Sequence, residues 1–462
     1  MKTENYDNEL SLWIEKEKTT SELSNVVSRL ILECSTELVM FRNRMTHLSI
    51  SEILNLHDYA AKFVKQNISV HQTLPLAKAI LEMGIKNTKI DLGKLAYEWN
   101  KENKSDDELN NFIKDKLSIY SNTDNNLSPK DVILYGFGRI GRLVARELFL
   151  QDNAGGQLRL RAIVTRSNSE KDITKRASLL RTDSVHGVFT GTVKEDFENK
   201  ALIINGRSVK MIAAKSPDSL DYTEYGINDA LVIDNTGVFR DKEALSLHLK
   251  SKGVAKVLLT APGKGVPNIV FGVNHNVDID HQDIFSAASC TTNAITPILE
   301  VVEKNLGVVK GHLETIHAYT NDQNLVDNMH SKYRRGRAAA LNMVITETGA
   351  GKAVTKAIPS LENKLTSSAI RVPTPNGSLA ILNLTIEKET TLECVNNLIH
   401  NAAFDSELVE QIRFSVNNEL VSSDIVGDSC PSIYDSPATQ VSNDGKSIVL
   451  YIWYDNEYGY TR

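Results

Sequence analysis

Apolar residues in the first hundred or so positions recur largely at three- and four-residue steps. Leu23, Val26, Val27, Leu30 and Ile31 form one stripe, and Leu38, Val39 and Phe41 a second. Leu54, Leu56, Tyr59, Ala60, Phe63 and Val64 continue the pattern, as do Leu76, Ile80 and Leu81. The spacing predicts amphipathic helices and shows no strand-like alternation. Stripes this dense need somewhere to bury, which argues against a disordered tail. The polar run Ser121-Asn122-Thr123-Asp124-Asn125-Asn126 reads as a linker. Residues 1–127 are therefore expected to be an all-α extension, whose partner the sequence does not identify.

Beyond the linker the period changes. Residues 131–135, 158–164, 230–234 and 256–260 read as short strands, and 142–150 as a helix. Strands alternating with helices predict a doubly wound parallel α/β sheet over residues 128–288. From Cys290 onwards, 309–317, 367–372, 380–387 and 448–453 read as strands of a mostly antiparallel sheet. That predicts an α+β catalytic domain over 289–455, with 456–462 beginning a further helix. A chain of 462 residues can hold two or three such domains.

The formal charge of −6 shows no basic excess, so neither nucleic acid nor an anionic membrane is expected as a main partner. No apolar run reaches bilayer length, and residues 1–8 are too polar for a secretory leader. Cys34, Cys290, Cys394 and Cys430 are widely spaced and form no CxxC pair. This suits a reducing cytoplasm and gives no structural metal site. The expectation is a soluble cytoplasmic enzyme.

Two motifs carry chemistry. Gly136-Phe137-Gly138-Arg139-Ile140-Gly141 follows the strand ending at Tyr135 and opens the next helix. Gly136 permits the turn, Gly138 lets the backbone approach a pyrophosphate, and Gly141 allows close helix–strand packing, as in a Rossmann-type dinucleotide site. The pyrophosphate would rest on the helix N-terminus. The second motif is Ser289-Cys290-Thr291-Thr292-Asn293, with His317 downstream. A thiol at a helix N-terminus is shifted towards thiolate, and a neighbouring histidine can pair with it and move protons. Read alone, Cys290 and His317 could equally be inert core residues.

GFGRIGR, SCTTN, HAYTNDQ, RRGRAAA, TGAGKAV, RVPTPNGS and WYDNEYGY occur in this order from about Asp131 to the end. In this the chain resembles phosphorylating glyceraldehyde-3-phosphate dehydrogenase. The resemblance implies that Cys290 attacks the aldehyde of D-glyceraldehyde 3-phosphate and passes a hydride to NAD or NADP. It further implies that inorganic phosphate releases the resulting thioester as 1,3-bisphosphoglycerate, with His317 as base, then acid. Thr320 and Arg371 match the substrate-phosphate group, and Ser289, Thr291, Arg335, Thr348 and Gly349 the inorganic-phosphate group. Arg139, Ile140, Thr236, Thr260 and Asn456 join the three motif glycines as cofactor contacts, Asn456 holding the nicotinamide carboxamide. Residues 319–341 match a loop that reaches a neighbouring subunit, implying a homotetramer. The family's last helix would begin at Tyr460-Thr461-Arg462, so the sequence reads as truncated there.

Three departures change the picture. Ala294 replaces a motif cysteine four residues after the nucleophile, so Cys290 has no resolving thiol there. The acidic residue usual after the second strand is missing from Thr165-Arg166-Ser167-Asn168-Ser169, and Asn328-Met329 stands where a Leu-Pro pair is common. Arg166 could pair with an adenosine 2′-phosphate, so NADP is expected to be used at least comparably to NAD. The alternative is that Glu170 supplies the acidic group. The competing functions are erythrose-4-phosphate dehydrogenase, sharing fold and nucleophile, a more distant aspartate-semialdehyde or acyl-phosphate reductase, and a non-catalytic regulatory homologue. The paired SCTTN and HAYTNDQ motifs argue against the reductase, and the intact Cys290, His317, Arg335 and Arg371 set against the homologue.

Overall fold

The computed structural model describes residues 2–102, 105–121, 128–151, 157–276 and 281–462. The chain divides into two compact units, the first comprising Met1–Pro129 and Gln151–Gln157 and the second Lys130–Leu150 and Leu158–Arg462. Most of the stretch read as a linker, 122–126, lies outside the described residues.

The first unit is mainly helical: α1 (Lys2–Cys34), α2 (Ile50–Val64), α3 (Val70–Met83), α4 (Leu92–Glu102) and α5 (Leu109–Ser121). Its core draws on Leu23, Leu30, Ile53, Leu76 and Ile80, all members of the expected stripes except Ile53. The expectation of helices without strands misses a small sheet. β1 (Glu37–Met40) pairs antiparallel with β2 (Asn43–Arg44) and parallel with β3 (Lys89–Asp91). Leu38-Val39-Met40-Phe41 is a short unbroken apolar run, which periodicity alone cannot assign between buried helix and buried strand. Phe41 and Arg42 make the turn at φ 44° and 66°. The Asp91 carboxylate ties the turn to the start of α4, accepting from the N–H groups of Phe41 and Lys94, both at 3.0 Å.

The second unit opens with β4 (Lys130–Tyr135), α6 (Arg139–Gln151), β5 (Leu158–Thr165) and α7 (Glu170–Arg181). A two-stranded hairpin, β6 (Thr182–Asp183) and β7 (Gly187–Val188), leads to β8 (Val193–Asp196), β9 (Ala201–Ile204) and β10 (Arg207–Ala213). After β11 (Ala230–Asp234), α8 (Lys242–Leu249), β12 (Val254–Leu259) and β13 (Ile284–Ser286), the first large sheet is complete in the order β13-β12-β11-β4-β5-β10-β9-β8. It is parallel from β13 to β10, while β9 and β8 join antiparallel. Tyr135 and Asp234 share a register, so the loops after β4 and β11 emerge side by side at the carboxyl ends of the strands.

α9 (Cys290–Leu306) leads into β14 (Val308–Ala318), β15 (Val344–Thr346), α10 (Ala350–Ala357), β16 (Leu365–Val372), β17 (Ser378–Ile386) and α11 (Leu392–Phe404). β18 (Ile412–Ser415), β19 (Ser432–Asp435), β20 (Gln440–Val441), β21 (Ser447–Tyr454) and the short α12 (Tyr458–Thr461) follow. The second sheet runs β15-β16-β14-β17-β21-β19-β18, with β20 alongside β21. Most neighbours are antiparallel, the exceptions being β14 with β16 and β18 with β19. Every second residue of β21 is buried, the alternation of a sheet with one covered face. The register of this sheet builds the site: His317 lies opposite Arg371, and Ser378 opposite Tyr454. No helix among the described residues is long and apolar enough to cross a membrane.

Gly141 shows why a helix starts where the sequence reading placed a turn. α6 begins at Arg139, and a Cβ on Gly141 would lie 2.4 Å from the Gly136 carbonyl oxygen, whereas one on Gly138 would meet nothing within 4 Å. Gly141→Ala is therefore expected to cost about 1–3 kcal/mol of stability, read as a lower denaturant midpoint. Gly138→Ala is expected to unfold like the parent protein. Equal midpoints for all three proteins would contradict this packing.

Candidate active site

Cys290 is the first residue of α9. The N-cap Ser289 accepts the Thr292 N–H through its hydroxyl at 3.1 Å, so the backbone turns and aims the thiol from the helix N-terminus. His317, near the end of β14, places Nε2 3.5 Å from the Cys290 Sγ. Its Nδ1 lies 2.7 Å from the Ala318 carbonyl, which fixes the ring proton on Nδ1 and turns the Nε2 lone pair towards sulfur. Tyr454 stands edge-on to the His317 ring, and its hydroxyl bridges Thr291 at 3.0 Å and Thr315 at 2.8 Å. Tyr460 donates to the Ala288 carbonyl at 2.9 Å, steadying the residue before the cap, which sits at φ 56°.

Burial opposes each charge taken singly. It pushes the Cys290 thiol up, against the pull of Arg371 and the helix N-terminus, and with Arg371 it drives His317 down to about 3. A standing thiolate, expected from the helix position alone, is therefore not favoured by the surroundings as such. Passing the thiol proton across 3.5 Å to Nε2 creates both charges at once, and each then offsets the other's desolvation.

Arg371 is the central cation. Its Nη1 donates to the Ala318 carbonyl at 3.0 Å and to the Thr320 hydroxyl at 3.1 Å, while its Nε is buried without a partner. An unpaired guanidinium N–H beside a hydroxyl suits a phosphate oxygen. Thr320 also donates to Asp322, which accepts from Arg335 as well. Burial opposes the Asp322 charge, but these two donors hold its carboxyl below the ordinary range. Arg335 further donates to Thr346 at 3.1 Å. Cys290, His317, Thr320, Arg335 and Arg371 thus form one connected cluster, joined through Asp322, to which the sequence reading gave no role.

The remaining candidate phosphate residues are more committed. Ser289 caps α9, the Thr291 hydroxyl meets Tyr454, and Thr348 accepts the Ala350 N–H at 3.2 Å. Gly349 is the N-cap of α10, with open space where a Cβ would stand. Each hydroxyl retains further hydrogen-bonding capacity. Ser367 on β16 donates to the Thr348 carbonyl at 3.3 Å, tying this turn to the strand that carries Arg371.

Around the first sheet the residues fit a dinucleotide. Gly136 sits at φ 91° against Thr236, and the open space at Gly138 lies at the α6 N-terminus, where first-turn N–H groups have no helical partner. Asp234, fully buried, organises the facing loop: its carboxylate accepts from the Thr236 N–H and hydroxyl and pairs with His248 at 2.9 Å. Its carbonyl accepts from the Thr260 hydroxyl at 3.0 Å. Asn456 is buried, and its amide oxygen accepts a hydrogen bond from the Ser378 hydroxyl at 2.7 Å, leaving the amide N–H groups for a ligand.

Two expected cofactor contacts differ in detail. The Arg139 guanidinium is engaged by Glu457 and Asp183, which leaves its main-chain N–H, not its side chain, for a phosphate. Ile140 packs against the core behind the loop. Arg166 is exposed on the loop after β5, as the reading requires. An acidic group nonetheless reaches this loop from Asp172, in the first turn of α7. α7 brings its carboxylate back onto Ser167 at 2.5 Å and Ser169 at 2.6 Å, whose hydroxyls hold it below its ordinary range.

Comparison with known proteins agrees with this geometry. Residues 130–242 match the model of the glyceraldehyde 3-phosphate dehydrogenase NAD binding domain, and residues 289–456 that of the C-terminal domain of the same family. The chain is 50% identical to a glyceraldehyde-3-phosphate dehydrogenase-like protein of Pseudomonas aeruginosa (strain UCBPP-PA14), covering 89% of this chain and 90% of that protein. A match of that extent must reach into the first unit. It is 37% identical to glyceraldehyde-3-phosphate dehydrogenase of Zymomonas mobilis, over 71% of this chain and 95% of the relative. The corresponding values for glyceraldehyde-3-phosphate dehydrogenase 2 of Synechocystis sp. are 41%, 72% and 95%.

The coupled pair makes a specific forecast for thiol reactivity. Alkylation needs thiolate, so its rate rises with pH. With His317 present, proton transfer supplies thiolate near neutral pH. His317→Asn leaves a thiol that burial pushes up, so iodoacetamide labelling at pH 7 should fall at least about tenfold and its midpoint should move to higher pH. Labelling that ignores the substitution would remove His317 from this role.

Proposed function

Because the chain belongs to the glyceraldehyde-3-phosphate dehydrogenase family of nicotinamide-dependent oxidoreductases, we propose that it oxidises D-glyceraldehyde 3-phosphate with inorganic phosphate through a cysteine thioester. The observation that carries this reading is the 3.5 Å approach of the Cys290 Sγ to the His317 Nε2, with Arg371 against the same ring. Sγ adds to the aldehyde carbon as its proton moves to Nε2, and the imidazolium returns that proton to the new oxyanion, giving a thiohemiacetal. A bound nicotinamide would supply the hydride acceptor. His317 takes the hydroxyl proton as the carbonyl re-forms, leaving a thioester on Cys290. A phosphate oxygen then adds to the thioester carbonyl and expels the thiolate, releasing 1,3-bisphosphoglycerate. Arg371 with Thr320 suits the substrate's own phosphate, and Arg335, released from Asp322, suits the attacking one. We place the reaction in the cytoplasm.

A homotetramer is part of the proposal. Leu325, Val326, Met329, Tyr333 and Leu341 stand largely exposed on the 319–341 segment, a concentration of apolar surface that suits a subunit contact.

We infer that NADP is used at least comparably to NAD. Arg166 is exposed beside Ser167, and the nearby Asp172 carboxylate is occupied by the Ser167 and Ser169 hydroxyls. That leaves it poorly placed to hold a ribose 2′-hydroxyl. Arg166→Ala is expected to raise the KM for NADP about tenfold or more while moving that for NAD little. Steady-state rates with glyceraldehyde 3-phosphate, and with erythrose 4-phosphate as comparison substrate, check both statements. Efficient turnover of NAD with none of NADP would overturn the cofactor assignment, and preference for the four-carbon aldehyde the substrate assignment.

A further inference from the structure

We propose that the N-terminal half of α1 pairs antiparallel with the same helix of a second copy of this chain. The buried stripe of α1 begins only at Thr20 and continues through Leu23, Val27 and Leu30. Ahead of it the helix carries a second apolar stripe, Tyr6, Leu10, Trp13 and Ile14, exposed by 66, 44, 44 and 41%. A lone helical arm of this length, about 20 Å at 1.5 Å per residue, is marginal in water, and a large aromatic with three further apolar residues along one side calls for a cover.

The charges select the occupant. At about 100° per residue, Asp7 and Lys18 lie along one flank of the stripe and Glu9 and Lys16 along the other. None of the four has an ion pair among the described residues. A two-fold antiparallel pair sets each flank against its own copy, because a self-complementary interface repeats residue i on j as j on i. Asp7 then faces Lys18 of the second copy and Glu9 faces Lys16, both pairs centred on the peptide bond between Leu12 and Trp13. A parallel pair sets opposite flanks together, bringing Asp7 to Glu9 and Lys16 to Lys18. The sequence therefore favours one orientation on both flanks and disfavours the other.

Disulfide trapping in the full-length protein tests this. The parent carries Cys394→Ser, which removes the exposed thiol; Cys34 and Cys430 are buried, and any linkage through the half-buried Cys290 is told apart by the peptide map. Asp7→Cys with Lys18→Cys in one chain is expected to give a disulfide-linked dimer under mild oxidation, joined at those two positions by peptide mapping. Either single variant should stay unlinked. Adding Leu10→Glu and Trp13→Glu, on exposed positions that leave the fold untouched, should reduce the linked fraction at least tenfold with dehydrogenase activity unchanged. Linked dimers from a single variant would mean that like positions meet, which the antiparallel pair does not allow, and would overturn the proposal. Absence of linkage in every variant would leave the stripe to another kind of partner and equally overturn it.

Discussion

Desolvation of the Cys290–His317 pair is the constraint around which the site is arranged. Neither group carries its charge comfortably alone, since burial pushes the thiol up and the imidazole down. The charged pair is reached only by moving one proton between them, so their separation and tautomer matter more than either group's intrinsic acidity. The Ala318 carbonyl sets the tautomer, and the Tyr454 ring and hydroxyl fix the walls. Arg371 serves two ends. Its positive charge lowers the thiol and the imidazole alike, favouring thiolate but resisting imidazolium, and its spare Nε suits an anion. A bound phosphate would offset that cation and ease protonation of His317.

Sheet register delivers these groups without special loops. His317 and Arg371 are opposite one another in a parallel pair, and Ser378 and Tyr454 in an antiparallel one. The segment after β21 is held to the start of α6 by charge. Glu457 accepts from Arg139 and from His186 at 3.1 Å, and Asp455 accepts the N–H groups of Glu457 and Tyr458. Asn456 sits between these two acids, so the amide suited to the nicotinamide is anchored to the same arginine that opens the dinucleotide loop.

Much of the fold was legible because the strong periods are local. The strands at 158–164, 230–234 and 448–453 were found within two residues of their ends, and the dinucleotide motif located α6. What escaped depended on distant partners. β1 is a strand because β3 supplies its ladder fifty residues later, and no period in Leu38-Val39-Met40-Phe41 announces that. The edge strand β8 is short and partly polar. In the site, the pairing of Cys290 with His317 was suggested by their motifs, but the contacts of Asp322, Asp234 and Ser378 arise only through folding. Asp172 was missed for a helical reason: one turn of α7 returns its carboxylate to the loop it follows.

The claim that Cys290 carries the reaction covalently is tested most directly by mixing the enzyme with glyceraldehyde 3-phosphate and oxidised cofactor in the absence of inorganic phosphate. A burst of reduced nicotinamide approaching one equivalent per chain is expected, with an acyl group found by mass spectrometry on the Cys290 peptide and lost when phosphate is added. A full burst with Cys290 unmodified would contradict it.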